Sequence, residues 1–486
     1  MTRLTNQSLH KLPANVARPD YDRQSTDIGI VHLGPGAFHR AHQAMYTQQV
    51  ARDGGQWCIS AVSLRSPTLK QALAEQDNLY TLMVLDDEPQ VSIVGIIKEI
   101  LVLQDDRQRV MDRMTARQTA IITLTITEKG YCLNNQGELD LTHADIEHDL
   151  AHPDTPVSAI GLLVAALATR RKAGYNELTV VSCDNLPENG DKLYRAVKRF
   201  AARYDPAVSQ WIAQTISFPN TMVDSITPAS DEALEKATIK ATGLEDRWPV
   251  QREAFSQWVI ENNFSGPRPA WENAGVVFTD NVHIFENAKL RVLNGTHSAL
   301  AYLGSLCEMR TVFDAITHNS MSDFITRLLK QEILPTLQHD AALVPGDYAK
   351  AILKRFENKH IHHLLSQIAW DGSQKLPPRI LGTIKDNIEE NRSISLLCAV
   401  VAAWILFVIR AVQAKRKITD PMADLLAGVV TANPEDIEEV GKRILNEKRI
   451  FGGLTDNTEF RETVLIQLNK LATIDSDNAE QCLATL

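Results

Sequence analysis

Within nine residues, Lys289-Leu290-Arg291-Val292-Leu293-Asn294-Gly295-Thr296-His297 gathers an amine, an amide and an imidazole. Interconverting an alcohol and a ketone needs such groups: one to move a proton, others to hold the oxygen while its charge changes. On an uninterrupted α-helix, Asn294 lies about 140° and His297 about 80° round from Lys289, at ~100° per residue, so the three share one broad face. Their axial spread is about 12 Å at ~1.5 Å per residue. The backward tilt of Cβ atoms and the length of lysine still allow them to converge on one carbon. The same residues also describe an amphipathic helix with a surface lysine, an Asn-Gly breaker and a core histidine, and spacing alone favours that plainer reading.

The elements that must position such a site read as two kinds of architecture. From about residue 28 to 230, short apolar runs alternate with helical stretches. Ile28–Leu33, Trp57–Leu64, Ala120–Ile126 and Leu178–Ser182 read as buried strands, with a helix through Ala41–Tyr46 and another over Ile160–Ala168. Strands separated by helices imply an α/β layer fold with a mostly parallel sheet. After Gly266-Pro-Arg-Pro-Ala-Trp271 the strand-like runs nearly vanish and helical periodicity dominates. The expected organisation is a Rossmann-type domain over 1–285 and a mostly α-helical domain over 286–486.

Composition agrees with this division. A chain of 486 residues exceeds one ordinary core and suggests two large domains. With 44% hydrophobic and 23% charged residues it reads as soluble and globular, and its net charge of −10 argues against general nucleic-acid binding. A local anionic-substrate pocket is still compatible with that balance. The six cysteines are dispersed without a CxxC pair, so neither a zinc ribbon nor a disulfide scaffold is indicated. The N-terminal stretch lacks a signal-peptide core, and the apolar run Leu396–Ile409 falls short of the ~20 residues that cross a bilayer. A cytoplasmic protein with no membrane partner is the expectation; oligomeric state is not legible.

Several polar groups sit where open α/β sheets bind ligands. Gly34-Pro35-Gly36-Ala37-Phe38-His39 follows the first strand and opens a helix, as in a dinucleotide fold. Gly34 suits the tight turn, Gly36 allows a pyrophosphate to approach, and His39 replaces the third glycine, so helix and strand should pack less closely there. Taken alone, the GxG fits a plain strand-to-helix turn as well. After the second strand, Ser63, Leu64, Arg65 and Ser66 stand where an acid would grip the ribose of NAD; Arg65 instead tolerates the 2′-phosphate of NADP. Candidate cofactor contacts are Gly34, Gly36, Ala37, Phe38, His39, Arg65 and Glu128, the last at the end of the third strand. Ser182-Cys183-Asp184-Asn185 ends another strand and offers Asn185 as an oxyanion donor, or simply an Asx turn. Asp224 follows the apolar stretch Phe218–Val223.

Two histidine groupings resemble metal motifs without meeting their requirements. His148-Asp149-Leu150-Ala151-His152 has Asp where HExxH has its general base, and Pro153 follows at once. His360, His362 and His363 fall on different faces if their segment is helical. No metal is expected.

Taken together, IVHLGPGAFHRAHQ (30–43), TITEKGY (125–131), SCDN (182–185), FPNTMVD (218–224), QWVIENNF (257–264), KLRVLNGTHS (289–298) and DGSQKLPPR (371–379) resemble the mannitol dehydrogenase family of long-chain, metal-independent sugar-alcohol dehydrogenases, in the family's order. The resemblance implies a Rossmann-type domain and a helical domain with the active site between them, and NAD as cofactor, with NADP not excluded. It implies Lys289 as the general base of alcohol oxidation, Asn185 and Asn294 as holders of the substrate oxygen, and His297 as its orienter. It further implies substrate contacts from Asp224 and Lys375, with Arg379 and Arg291 as helpers, and a proton exit through Glu286. Such a lysine must have its pKa lowered from ~10.4 to about 7–8, a cost on the order of 4 kcal/mol. Gln367–Arg379 and Thr127–Tyr131 look most like the fructuronate reductase (D-mannonate oxidoreductase) branch. Ser225, where the family usually carries Arg, and the arginine-free stretch Ile361–Ser366 keep a mannitol 2-dehydrogenase or other polyol substrate open. A catalytically inactive nucleotide sensor is the third reading; it predicts substitution of Lys289, Asn294 or His297, and all three are present.

Overall fold

The computed structural model describes residues 2–486. The chain divides into two compact units, the first ending at His283 and the second beginning at Ile284.

The first unit is built on a five-stranded sheet of β1 (Ile28–Leu33), β2 (Cys58–Ser63), β3 (Ile97–Val102), β4 (Ile121–Leu124) and β5 (Thr179–Ser182), ordered β3-β2-β1-β4-β5. Every neighbouring pair is parallel. This is the order of a Rossmann sheet, whose direction of winding reverses between β1 and β4. The four strands expected from apolar runs form where anticipated, since parallel strands covered on both faces read as continuous Val, Ile and Leu. Strand β3 was not among them: Lys98 and Glu99 interrupt its apolar pattern, and it lies at the sheet edge. The helix expected through Ala41–Tyr46 is two helices, Ala37–Ala41 and Gln43–Gln49, broken at His42 by a backbone at φ −120°, ψ −89°. Two small mixed sheets complete the unit. Tyr80–Leu85 pairs with Gln90–Val94 and Val250–Glu253, while Gln257–Glu261 pairs with Thr221–Asp224 and Val277–Thr279.

The second unit is helical. Its central helix, Ser395–Gln413, is apolar and long enough to cross a membrane by length and composition, but 78% of its most apolar window is buried inside the protein. It therefore serves as a core helix. Its N-terminus is held by Glu332, a fully buried carboxylate that accepts hydrogen bonds from the Leu396 and Leu397 amides and the Ser393 hydroxyl. Three stretches widen to π-helix: Lys289–Asn294, Leu329–Ile333 and Pro377–Leu381. In the last, Pro377 and Pro378 have no N–H for the regular α ladder, which accounts for a departure there.

Candidate functional site

In the first unit, a cleft of about 1260 Å³ opens at the carboxyl ends of β1, β2 and β4. Gly34 makes the turn out of β1. Its φ is +90°, and a Cβ built there would overlap the Thr125 carbonyl oxygen at 2.2 Å, so the site demands glycine. Thr125 Oγ1 in turn donates to the Gly34 carbonyl at 2.7 Å, bracing the turn from β4. A Cβ at Gly36 would meet only the Gly34 oxygen, at 3.9 Å, which leaves this backbone open to a ligand. Backbone N–H groups at a glycine turn that faces a cleft at the sheet's reversal point suit a dinucleotide pyrophosphate.

Gly34, Gly36, Ala37 and Arg65 line this cleft; Phe38, His39 and Glu128 do not. His39 is instead buried against the sheet, its ring stacked on His32 of β1 at 3.4 Å and 8°. The room left by the missing third glycine is thus filled by two flat imidazoles. His32 is bonded to Thr123 and Thr125, whereas neither ring nitrogen of His39 meets a partner. Burial holds both rings neutral, pushing His32 down to about 3 and His39 well below the usual imidazole range. Sequence reasoning did not single out Arg40 or Lys129, which also line the cleft. Arg40 lies on the first helical turn after Gly36, directly after His39. Arg65 reaches Asp145 at 3.2 Å from an exposed position, and Ser66 and Thr68 share a hydroxyl contact beside it.

The polar turn after β5 has two distinct members. Asp184 accepts from the amides of Ile126 and Thr127 and from the Tyr131 hydroxyl, fixing the TITEKGY turn that flanks the cleft; burial raises its pKa. Asn185, next in sequence, is exposed at the strand's carboxyl end. Asp224 is buried at the end of its strand, opposite Gln257 in the register.

In the second unit, Glu286, Lys289 and His297 are all more than nine-tenths buried, at 8%, 8% and 7% exposure. The π segment Lys289–Asn294 alters the geometry expected for them. Gly295 N–H bonds to the Leu290 carbonyl, five residues back. In so wide a turn, positions i and i+5 stand nearly above one another, so Asn294 comes round toward Lys289 and the 140° offset of a regular α-helix does not apply. Gly295 packs this segment against the π segment Pro377–Leu381: a Cβ there would lie 3.1 Å from the Arg379 carbonyl oxygen. Arg379 Nη1 donates to Ser298 Oγ at 3.3 Å.

Lys375 is placed by a tight turn. Asp371 adopts a left-handed backbone at φ +57°, and Gly372 approaches Trp404 so closely that a Cβ would lie 2.3 Å from its indole nitrogen. Lys375 Nζ donates to the Ile368 carbonyl at 3.2 Å, and burial followed by the neighbouring Arg379 lowers its pKa. Arg291 is engaged elsewhere, paired with Asp386 at 2.6 Å.

The ring of His297 lies 4.6 Å from Phe356 and is approached edge-on by His363 at 5.1 Å and 81°. Its Nε2 is buried without a partner. Burial, then His363, Arg355 and Arg379, drives its pKa well below the ordinary imidazole value. Arg355 and Phe356 are not singled out by the sequence, and His363 enters there only within a rejected metal grouping. Arg355 had a signal: it falls on the buried stripe Tyr348, Ala349, Ile352, Arg355, Phe356 of helix Pro345–Phe356, where a charge is unexpected. The segment bearing His360, His362 and His363 is not helical, because the Asn358 side chain accepts from the His360 amide and turns the chain after the helix end. Helical faces therefore do not separate these histidines. In the other histidine grouping, Asp149 is a fully buried tie, accepting from the Val157 and Ser158 amides and the Ser158 hydroxyl.

Comparison with known proteins agrees with both units. The family model described as the mannitol dehydrogenase Rossmann domain matches residues 28–273, and that of the mannitol dehydrogenase C-terminal domain matches residues 281–472. An uncharacterised oxidoreductase, YeiQ, of Escherichia coli (strain K12) is 40% identical over 463 residues, covering 93% of this chain and 94% of the relative. The D-mannonate oxidoreductase of the same organism is 37% identical over 481 residues, covering 97% and 98%. The solved ternary complex of Pseudomonas fluorescens mannitol 2-dehydrogenase with NAD and D-mannitol matches with a TM-score of 0.81 at 36% identity, covering 100% of this chain and 99% of that one.

Proposed function

The chain belongs to the mannitol dehydrogenase family, an oxidoreductase acting on CH–OH groups of sugar alcohols or sugar acids, and from that premise we propose that it is a D-fructuronate reductase, equivalently a D-mannonate oxidoreductase, using NAD. The observation that carries the sugar-acid reading is the cationic surround of His297. Arg355 and Arg379 act on that ring, and Arg355 and Lys375 act on His363 beside it. In a chain of net charge −10, these three cations, set against the Asp371 and Asp420 carboxylates that act on Lys375, favour a carboxylate and give a neutral polyol no advantage.

NAD, held at the glycine turn by Gly34, Gly36 and Ala37 with Arg65 at the cleft rim, supplies the hydride chemistry when bound. In oxidation Lys289 takes the alcohol proton; in reduction it returns one to the forming alkoxide. Asn294, brought over Lys289 by the π turn, and Asn185 donate to the oxygen as its charge changes. His297, kept neutral, orients that oxygen through an N–H without adding a charge of its own. Glu286, one helical turn before Lys289, passes the proton on toward water. Asp224 fixes substrate hydroxyls, while Lys375 and Arg379 bind the carboxylate.

The test is kcat/KM for D-fructuronate and D-fructose with NADH. Two charge-assisted hydrogen bonds at ~1.5–3 kcal/mol each imply a preference for the acid of roughly a hundredfold or more. A clear preference for D-fructose refutes the assignment. One observation favours the polyol reading: Ser225 is uncharged and bonded to the Phe255 carbonyl, and Arg291 is committed to Asp386, so neither supplies a guanidinium.

A further inference from the structure

The placement of His363 is specific. The chain carrying it is pinned on both sides: Val312 N–H donates to the His363 carbonyl at 3.0 Å, His363 N–H to the Ile361 carbonyl at 2.9 Å, and Leu365 N–H to the Arg310 carbonyl at 3.0 Å. The ring is thereby held edge-on to His297, and its Nδ1 is buried without a hydrogen-bond partner. Facing it are His297 from helix Gly295–Leu306, Arg355 from helix Pro345–Phe356 and Lys375 from helix Gly372–Leu376; Arg379 acts on the adjoining His297. A second imidazole with an unsatisfied nitrogen, beside the unsatisfied Nε2 of His297, costs stability unless a ligand meets it.

Resting on the sugar-acid reading, we propose that His363 is a specificity-determining residue that donates a hydrogen bond to the carboxylate of the substrate and takes up a proton as that carboxylate binds. Without substrate, burial first and then Arg355 and Lys375 keep the ring neutral. A carboxylate set among these cations cancels the field that disfavours imidazolium, so the protonated ring becomes the preferred partner of the acid. A neutral polyol leaves the field, and the ring, unchanged. The proton is gained only between the ring's pKa in the free protein and its higher value in the complex. Within that window acid binding weakens as pH rises, and above it the affinity levels off; polyol binding does not follow.

The experiment is calorimetry of the NADH complex titrated with D-mannonate or D-mannitol, in buffers of different ionisation enthalpy at about pH 6.5–7, where an imidazole is poised to titrate. Net proton uptake with D-mannonate and none with D-mannitol is expected. His363→Gln and His363→Asn, two amides that keep a donor but cannot ionise, should abolish the uptake. They should also lower kcat/KM for D-fructuronate about tenfold more than for D-fructose, the size of one charge-assisted bond. Uptake that persists in both variants, or equal losses on the two ketoses as a merely structural residue would give, overturns the role of His363 while leaving the sugar-acid reading intact. A wild-type preference for D-fructose overturns both.

Discussion

The two units solve the same problem with different materials. The cleft of the first is shaped by backbone: a glycine at positive φ, a carbonyl braced by Thr125, and the ends of β1, β2 and β4 where the sheet reverses. The second unit brings its polar groups together by side chains on irregular helices, two of them π segments pressed together at Gly295. A backbone site tolerates almost any neighbouring side chain but no change at the glycine; a side-chain site depends on which few residues project and at what angle. The first should therefore fail in binding and the second in turnover.

The largest expected separation comes from Lys289→Ala. Removal of the proposed proton acceptor should reduce kcat by roughly 10²–10⁴-fold, the usual span for general acid–base groups, with the dissociation constant of NADH changed by less than about twofold. Stopped-flow turnover and fluorescence titration read the two quantities separately. Turnover near wild type would remove Lys289 from its role. The counterpart in the first unit is Gly34→Ala. A methyl placed 2.2 Å from the Thr125 carbonyl oxygen, on a backbone at φ +90°, must move the turn. Strain of about 1–3 kcal/mol translates into NADH affinity weakened on the order of tenfold to a hundredfold. Affinity unchanged in Gly34→Ala would mean that the turn does not hold the dinucleotide.

The same contrast explains what could be read from the sequence. The central parallel strands and the glycine turn announce themselves, because continuous apolar runs and Gly-x-Gly follow from local backbone demands; the edge strand β3, with Lys98 and Glu99 in its middle, and the short strands of the two small mixed sheets were hidden. In the second unit the residue types Lys289, Asn294 and His297 were legible, but their relative angles were not. Nothing in Lys289–Asn294 signals a π turn, and its close approach to Pro377–Leu381 at Gly295 joins segments more than 80 residues apart in sequence. Arg355 and His363 reach His297 from segments some 60 residues away in sequence, and such meetings leave no trace in spacing. Phe38, His39 and Glu128 adjoin the motifs and so suggest cofactor contacts, yet none of them lines the cleft, and His39 lies under the turn against His32.

His39 gives the smallest and sharpest test of the backbone-built unit. In the folded chain its pKa lies well below 6.5 because burial disfavours imidazolium, and His32 against it is held down to about 3. In the unfolded chain both rings titrate near the ordinary value, so below about pH 6.5 the unfolded state binds more protons than the folded one. Stability contributed by the neutral rings is thus full above pH 6.5 and falls as pH drops toward the folded values, by up to about 1.4 kcal/mol per pH unit for each ring. His39→Phe keeps a flat ring for stacking on His32 and removes one titrating group together with two unsatisfied nitrogens. Urea unfolding between pH 7.5 and 5 should show a variant at least as stable as wild type at the upper end and a shallower decline toward acid. An acid limb of unchanged slope would mean that His39 already carries a proton in the folded protein, and that the stacked pair is held by a charge and not by two neutral rings.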